Sequence, residues 1–223
     1  MSIWLASGIP EWPEPQRTGS TWLAAGARKW ATTTPLVIIW PLYLTSSITG
    51  NVLLTRFSRI GIVHIWEYQR YEGYHASLHS ISEQPEFPEF DRKLKTLIKS
   101  KKTSLMQEFS FWPTTPPRRL GGLFELRSYT LHPGNLLEWE SHWRHGLKAR
   151  REVMEGVGAW FVQIGDLNTV HHLWQFANLE ERKTCREESW GIQGWAETVH
   201  KTLPLIQGMQ SRILIPMPWS PVG

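Results

Sequence analysis

Two stretches of this chain repeat one another in the same order, and that duplication limits the folds open to it more than any other feature. His64-Ile65-Trp66-Glu67-Tyr68 is matched by His172-Leu173-Trp174-Gln175-Phe176. Met106-Gln107 ahead of Phe109-Ser110-Phe111-Trp112-Pro113 is matched by Met209-Gln210 ahead of Ile213-Leu214-Ile215-Pro216. Both pairs are spaced by roughly a hundred residues, a common domain size. The 223 residues are therefore expected to hold two versions of one unit.

The second version reads without a gap. Leu123 to Leu131 alternates and is rich in aromatics, the pattern of a strand. His132-Pro133-Gly134-Asn135 is a turn that ends on a helix cap, and Leu136, Trp139, Trp143 and Leu147 follow at helical spacing to about residue 154. Val157 to Ile164 and Thr169 to Phe176 are two strands joined by a hairpin at Gly165-Asp166-Leu167-Asn168. Asn178 caps a charged helix that breaks at Gly191 to Gly194, resumes from Trp195 to Gln207 and leads to a last strand over Gln210 to Pro216. The order βαββαβ specifies a ferredoxin-like plait, an antiparallel four-stranded sheet with both helices on one face.

Only the later part of the first version is legible. Ile62 to Tyr68 reads as a strand, Gly73 to Ser82 and Glu89 to Ser104 as helical pieces, Leu105 to Trp112 as the closing strand, and Val52 to Phe57 as the strand before them. Nothing in residues 1–45 resembles Phe124-Glu125-Leu126-Arg127-Ser128-Tyr129. Pro10, Pro13, Pro15, Pro35 and Pro41 oppose a long helix there, so residues 1–50 are expected to be largely irregular, a targeting or disordered segment. The expected organisation is an atypical segment over 1–50, a partial plait over 51–112, a linker over 113–122 rich in Pro and Arg, and a complete plait over 123–217. The partial plait is expected to rely on packing against the complete one.

Phe124 to Tyr129 followed by His132-Pro133-Gly134, then Val170-His171-His172-Leu173-Trp174, then Met209 to Pro216 and Ser220-Pro221, resemble the C-terminal domain of the NIPSNAP family. Glu108-Phe109-Ser110-Phe111-Trp112 is similar to the end of that family's first domain. The resemblance implies an α+β fold of the dimeric α/β-barrel type, two plaits packed sheet against sheet, and a mitochondrial location. It also implies roles in mitochondrial quality control through binding autophagy proteins, or in vesicular traffic, with no settled enzymatic activity. Protein partners, and self-association through exposed sheet, are expected from it. Related dimeric α/β barrels include heme-degrading monooxygenases, so the alternative is a small-molecule enzyme or heme-binding protein using the space between the sheets; on the leading reading no cofactor is expected.

Parity within each strand selects the candidate ligand-facing residues. Glu125, Arg127 and Tyr129 share one face of their strand, His172 and Trp174 one face of theirs, and His64 and Trp66 the matching face in the first copy. The set is expected to face the second plait, where it could orient a ligand or act as general acid and base, although an intra-barrel salt bridge and hydrogen-bonded aromatic core is the more frequent arrangement. His171 and His172 point to opposite faces and cannot chelate one metal. Glu138, His142 and His145 share a helix face, more often a solvated face than a metal site, and no metal is expected. Cys185, the only cysteine, lies in a charged stretch with no histidine beside it and reads as an ordinary helix thiol; a disulfide within the chain is excluded.

Charge is concentrated. Arg92, Lys93, Lys95, Lys99, Lys101 and Lys102, with only Asp91 among them, account for more than the whole formal net charge of +4. A nucleic-acid surface spread over the protein is therefore disfavoured. The same stretch carries Phe90, Leu94, Leu97, Ile98 and Leu105 on one stripe, the pattern of a plait helix or of a basic helix lying on an anionic membrane. Leu36 to Leu44 is the most apolar window but is too short to span a bilayer.

Overall fold

The computed structural model describes the backbone of Ser2–Ala6 and Leu36–Leu44 and, with side chains, residues 61–223. Gly165 at φ +125° and Asn168 at φ +60° supply the backbone that turns β7 (Glu155–Ile164) into β8 (Thr169–Phe176). β6 (Leu123–Leu131) pairs with β8 on one side and with β9 (Ile206–Pro216) on the other, so the order in this half is β9-β6-β8-β7, all antiparallel. That is the plait expected from its sequence. Its helices are α3 (Leu136–Arg151), α4 (Leu179–Glu188) and α5 (Trp195–Thr202). Asn178 begins α4 through its side chain, which accepts the Glu181 N–H at 2.9 Å.

The first half contributes four strands in a different order. β3 (Gly61–Tyr68) lies between β1 (Ser2–Ala6) and β2 (Leu36–Leu44), and β2 continues to β5 (Ser104–Glu108), giving β5-β2-β3-β1. β5 then pairs with β7, and β1 with β9 at Leu5–Pro216 and Ala6–Ile215. The sheet closes into an eight-stranded antiparallel barrel, which removes the open edges that half a plait would leave.

Two expectations change here. Residues 1–50, expected to be largely irregular, contain two barrel strands: prolines oppose a helix but not a short strand. Proline has no N–H to give, and Pro41 falls between the stretch of β2 paired to β5 and the stretch paired to β4 (Ile98–Lys101). The helix expected over Glu89 to Ser104 is shorter. α2 (Phe87–Leu97) ends where Ile98 turns extended, and the chain becomes β4, hydrogen-bonded to β2. α1 (Arg70–Ser82) precedes it. The strand reading of Val52 to Phe57 lies outside the described residues.

Two cores divide the barrel wall. Phe124, Leu126, Leu173 and Leu214 point inward and meet Val63 and Ile65 from the opposite half. Tyr129, Trp174 and Phe176 point outward under α3 and α5, where Trp139, Trp143, Leu147 and Trp195 cover them. The helices approach closely because Gly146 has no side chain: a Cβ there would stand 2.3 Å from the Thr198 methyl. Among the described residues no helix is long and apolar enough to cross a membrane.

Candidate functional site

Glu125, Arg127, Tyr129, His172 and Trp174 do share a face, but it is the helix-covered face and not the barrel interior. The expectation that they line the space between the sheets is corrected by what stands against them. Arg182 of α4 binds Glu125 with two bonds of 3.0 and 2.7 Å, Ser211 of β9 donates at 2.6 Å, and Arg127 adds 3.1 Å. Burial would raise the Glu125 pKa, yet the bonds from Arg182 and Ser211 and the nearby guanidinium charges outweigh it and hold the carboxyl at about 2. Arg127 Nε also donates to the Tyr129 hydroxyl at 2.8 Å. His172 is fully buried, its Nδ1 accepts the Trp174 indole N–H at 2.6 Å, and Trp143 packs 5.1 Å from its ring. Burial, then the charges of Arg127 and Arg150, keep it neutral far below its ordinary value.

His64 and Trp66 occupy the matching outward face of β3. Trp66 packs with Leu105, Tyr68 and Tyr74 of α1. His64 is buried and held at about 4 by burial and then by the charge of Lys101.

The interior is lined by the other parity. Cross-strand register places Leu126, Leu173 and Arg212 in one row, Ser128, His171 and Gln210 in the next, and Thr130, Thr169 and Gly208 in a third toward the barrel end. The apolar interior thus gives way to small polar residues, and a cavity of about 420 Å3 opens there, its rim completed by Ser104, Met209 and the ion pair between Lys102 and Asp166. Ser128 Oγ lies 2.8 Å from His171 Nδ1. Burial, followed by the charge of Arg212, lowers the His171 pKa to about 4. Alternation alone groups these residues but cannot tell inside from outside. The available signal was the parity that groups Ser128, Thr130, Thr169 and His171 with Phe124 and Leu126 on the face opposite Tyr129, Trp174 and Phe176.

The remaining candidates are dispersed. Arg92 and Lys93 bind Glu89 at 2.7 and 3.3 Å and Lys95 binds Asp91 at 2.5 Å along exposed turns of α2, while Lys99 and Lys101 lie on β4. Phe90 and Leu97 of the apolar stripe are exposed. His142 Nε2 is 3.9 Å from Glu138, but His145 Nδ1 bonds to the Ser141 carbonyl at 2.7 Å. The Cys185 thiol is pushed up by burial and by Glu181 and Glu188, which makes it a poor nucleophile.

Strand order, closure and the two-sided packing define an α+β barrel of the dimeric α/β-barrel type, here closed within one chain. The solved structures with this fold include a putative monooxygenase from Fusobacterium nucleatum, TM-score 0.56 and 8% identity, covering 83% of this chain and 94% of that one. Another is a putative monooxygenase from Lactobacillus acidophilus, TM-score 0.55 and 10% identity, covering 82% and 93%. At such identity the likeness is one of fold. Residues 124–221 match the NIPSNAP family model. The chain is 42% identical over 161 residues to NipSnap homolog 1 of Danio rerio, covering 72% of this chain and 58% of that protein. It is 42% identical over 164 residues to NipSnap homolog 2 of Homo sapiens, covering 72% and 56%. The chain belongs to the NIPSNAP family, and it spans less than two thirds of the length of these relatives.

Proposed function

We propose that this protein is a noncatalytic interaction protein of mitochondria, acting in mitochondrial quality control or vesicular traffic through protein partners. Kinship with NIPSNAP proteins supports the setting. The observation that carries the noncatalytic reading is the closure of the outer-face cluster. Glu125 accepts four hydrogen bonds, and the His172 ring is sealed among Trp174, Trp143 and Tyr129, so neither the carboxyl nor the imidazole reaches a substrate. The test is proximity labelling in cells by the full chain fused through a linker to a labelling enzyme. Enrichment of mitochondrial proteins with autophagy adaptors is expected; labelling confined to cytosolic proteins would refute the reading.

A second reading, binding of a small molecule between the sheets, rests on the cavity at the barrel end. Heme belongs to this reading by fold analogy. His171 is the one imidazole among the described lining residues, and its Nε2, free of Ser128, is the atom that would ligate the iron.

A further inference from the structure

We propose that the barrel cavity binds a small organic monocarboxylate, its carboxylate paired with Arg212 beside His171. This inference rests on the small-molecule reading of the cavity and names the class of ligand. The charges on the wall decide the sign. Lys102 and Asp166 neutralise one another in an ion pair at the rim. Arg212 is half-buried, faces the cavity and has neither a hydrogen bond nor an ion pair from its side chain among the described residues. A guanidinium carries five donors and cannot shed its proton, so leaving it unpartnered in a partly enclosed wall is costly and an incoming anion relieves that cost.

His171 adds no second positive charge. Its ring is neutral at physiological pH, bonded to Ser128 through Nδ1, and Nε2 remains available to the cavity. The described wall therefore carries one net positive charge, matched by a monoanion better than by a phosphate dianion. The planar fork of an arginine fits the two oxygens of a carboxylate.

The rest of the ligand is set by the floor and the volume. Arg212 shares its row with Leu126 and Leu173, and Leu214 lies beyond it in the apolar interior. About 420 Å3 is within the ~300–1,000 Å3 range of pockets that enclose organic ligands. A carboxylate attached to an apolar or aromatic body satisfies both ends, with Ser128, Thr169 and Gln210 left to bond any further polar group.

The experiment titrates the full chain at neutral pH with 1-naphthoate and with its neutral counterpart 1-naphthamide, using calorimetry and the NMR signals of the His171 imidazole. Naphthoate is expected to bind saturably, about tenfold or more tighter than naphthamide, and to shift the His171 signals. Arg212→Gln is expected to abolish that preference while naphthamide affinity is kept and Tm does not fall, because Arg212 has no partner to lose and its unpartnered charge is removed. Arg212→Lys, which keeps the charge without the fork, is expected to retain part of it. Equal affinities, or a preference that survives Arg212→Gln, would overturn the carboxylate assignment while leaving the cavity a small-molecule site. Absence of saturable binding by either compound would overturn both.

Discussion

Glu125 is the acid on which two arginines depend, so its charge is a stability switch. Its carboxyl is held at about 2, below the ordinary value of 4.5, so its contribution is complete above pH 4.5 and is lost as pH falls toward 2. The shift corresponds to roughly 3 kcal/mol. Glu125→Gln should cost about 3–5 kcal/mol, since it strands Arg182 and Arg127, and the denaturant midpoint at neutral pH will show it. The buried histidines act earlier on the same side. His64 and His171 titrate at about 4 in the folded protein and His172 far below 6.5, so each takes up a proton on unfolding as pH falls from 6.5 toward 4. Each adds up to ~1.4 kcal/mol of lost stability per pH unit in that window. His171→Gln should flatten the slope of unfolding free energy against pH by about one histidine's share, read from urea unfolding between pH 4 and 7. That Glu125, Arg127 and Tyr129 share a face was legible, because alternation is local. Which face it is was not, because the partner Arg182 lies 57 residues away and arrives only when α4 docks.

At the level of elements, the docking of α3 on α5 depends on one missing methyl. Gly146→Ala would gain up to ~1 kcal/mol in helix propensity but must push Thr198 away from 2.3 Å. Overpacking of that kind costs about 1–3 kcal/mol, so a net loss of stability is expected. A lower Tm checks it, and pairing with Thr198→Gly should restore much of the loss. The second plait was readable from its punctuation. Asn178 caps α4, Gly165 and Asn168 turn the hairpin, and the break at Gly191 to Gly194 separates α4 from α5. The first half lacked such punctuation for a topological reason. Its outer strand β1 and inner strand β2 stand in the places that β7 and β6 hold in the other half, so the order along the sheet is fourth-second-third-first here and fourth-first-third-second there. Alignment to the second copy then finds no counterpart. α2 misled for a simpler reason: the apolar stripe runs on through Ile98 and Leu105, and only pairing with β2 ends the helix at Leu97.

For the whole molecule, each half presents two edges that the other covers, β1 meeting β9 and β5 meeting β7. Residues 116–223 alone would keep β9-β6-β8-β7 with α3, α4 and α5, and would expose β7 and β9, which β5 and β1 cover in the full chain. A second copy can cover both at once, β9 of each against β7 of the other. This piece is therefore expected to sediment as a dimer, and a stable monomer or an open-ended oligomer would contradict that pairing of edges. Barrel closure also ties the earliest strand to the latest: β1 pairs with β3, but its other edge meets only β9. On a ribosome adding ~5–20 residues per second, β9 emerges on the order of ten seconds after β3. Through that interval the nascent chain carries an unfilled strand edge beside neighbours on the same message. Its synthesis is therefore expected to lean on a holding chaperone through that interval more than the closed barrel does, in which both edges of β1 are paired.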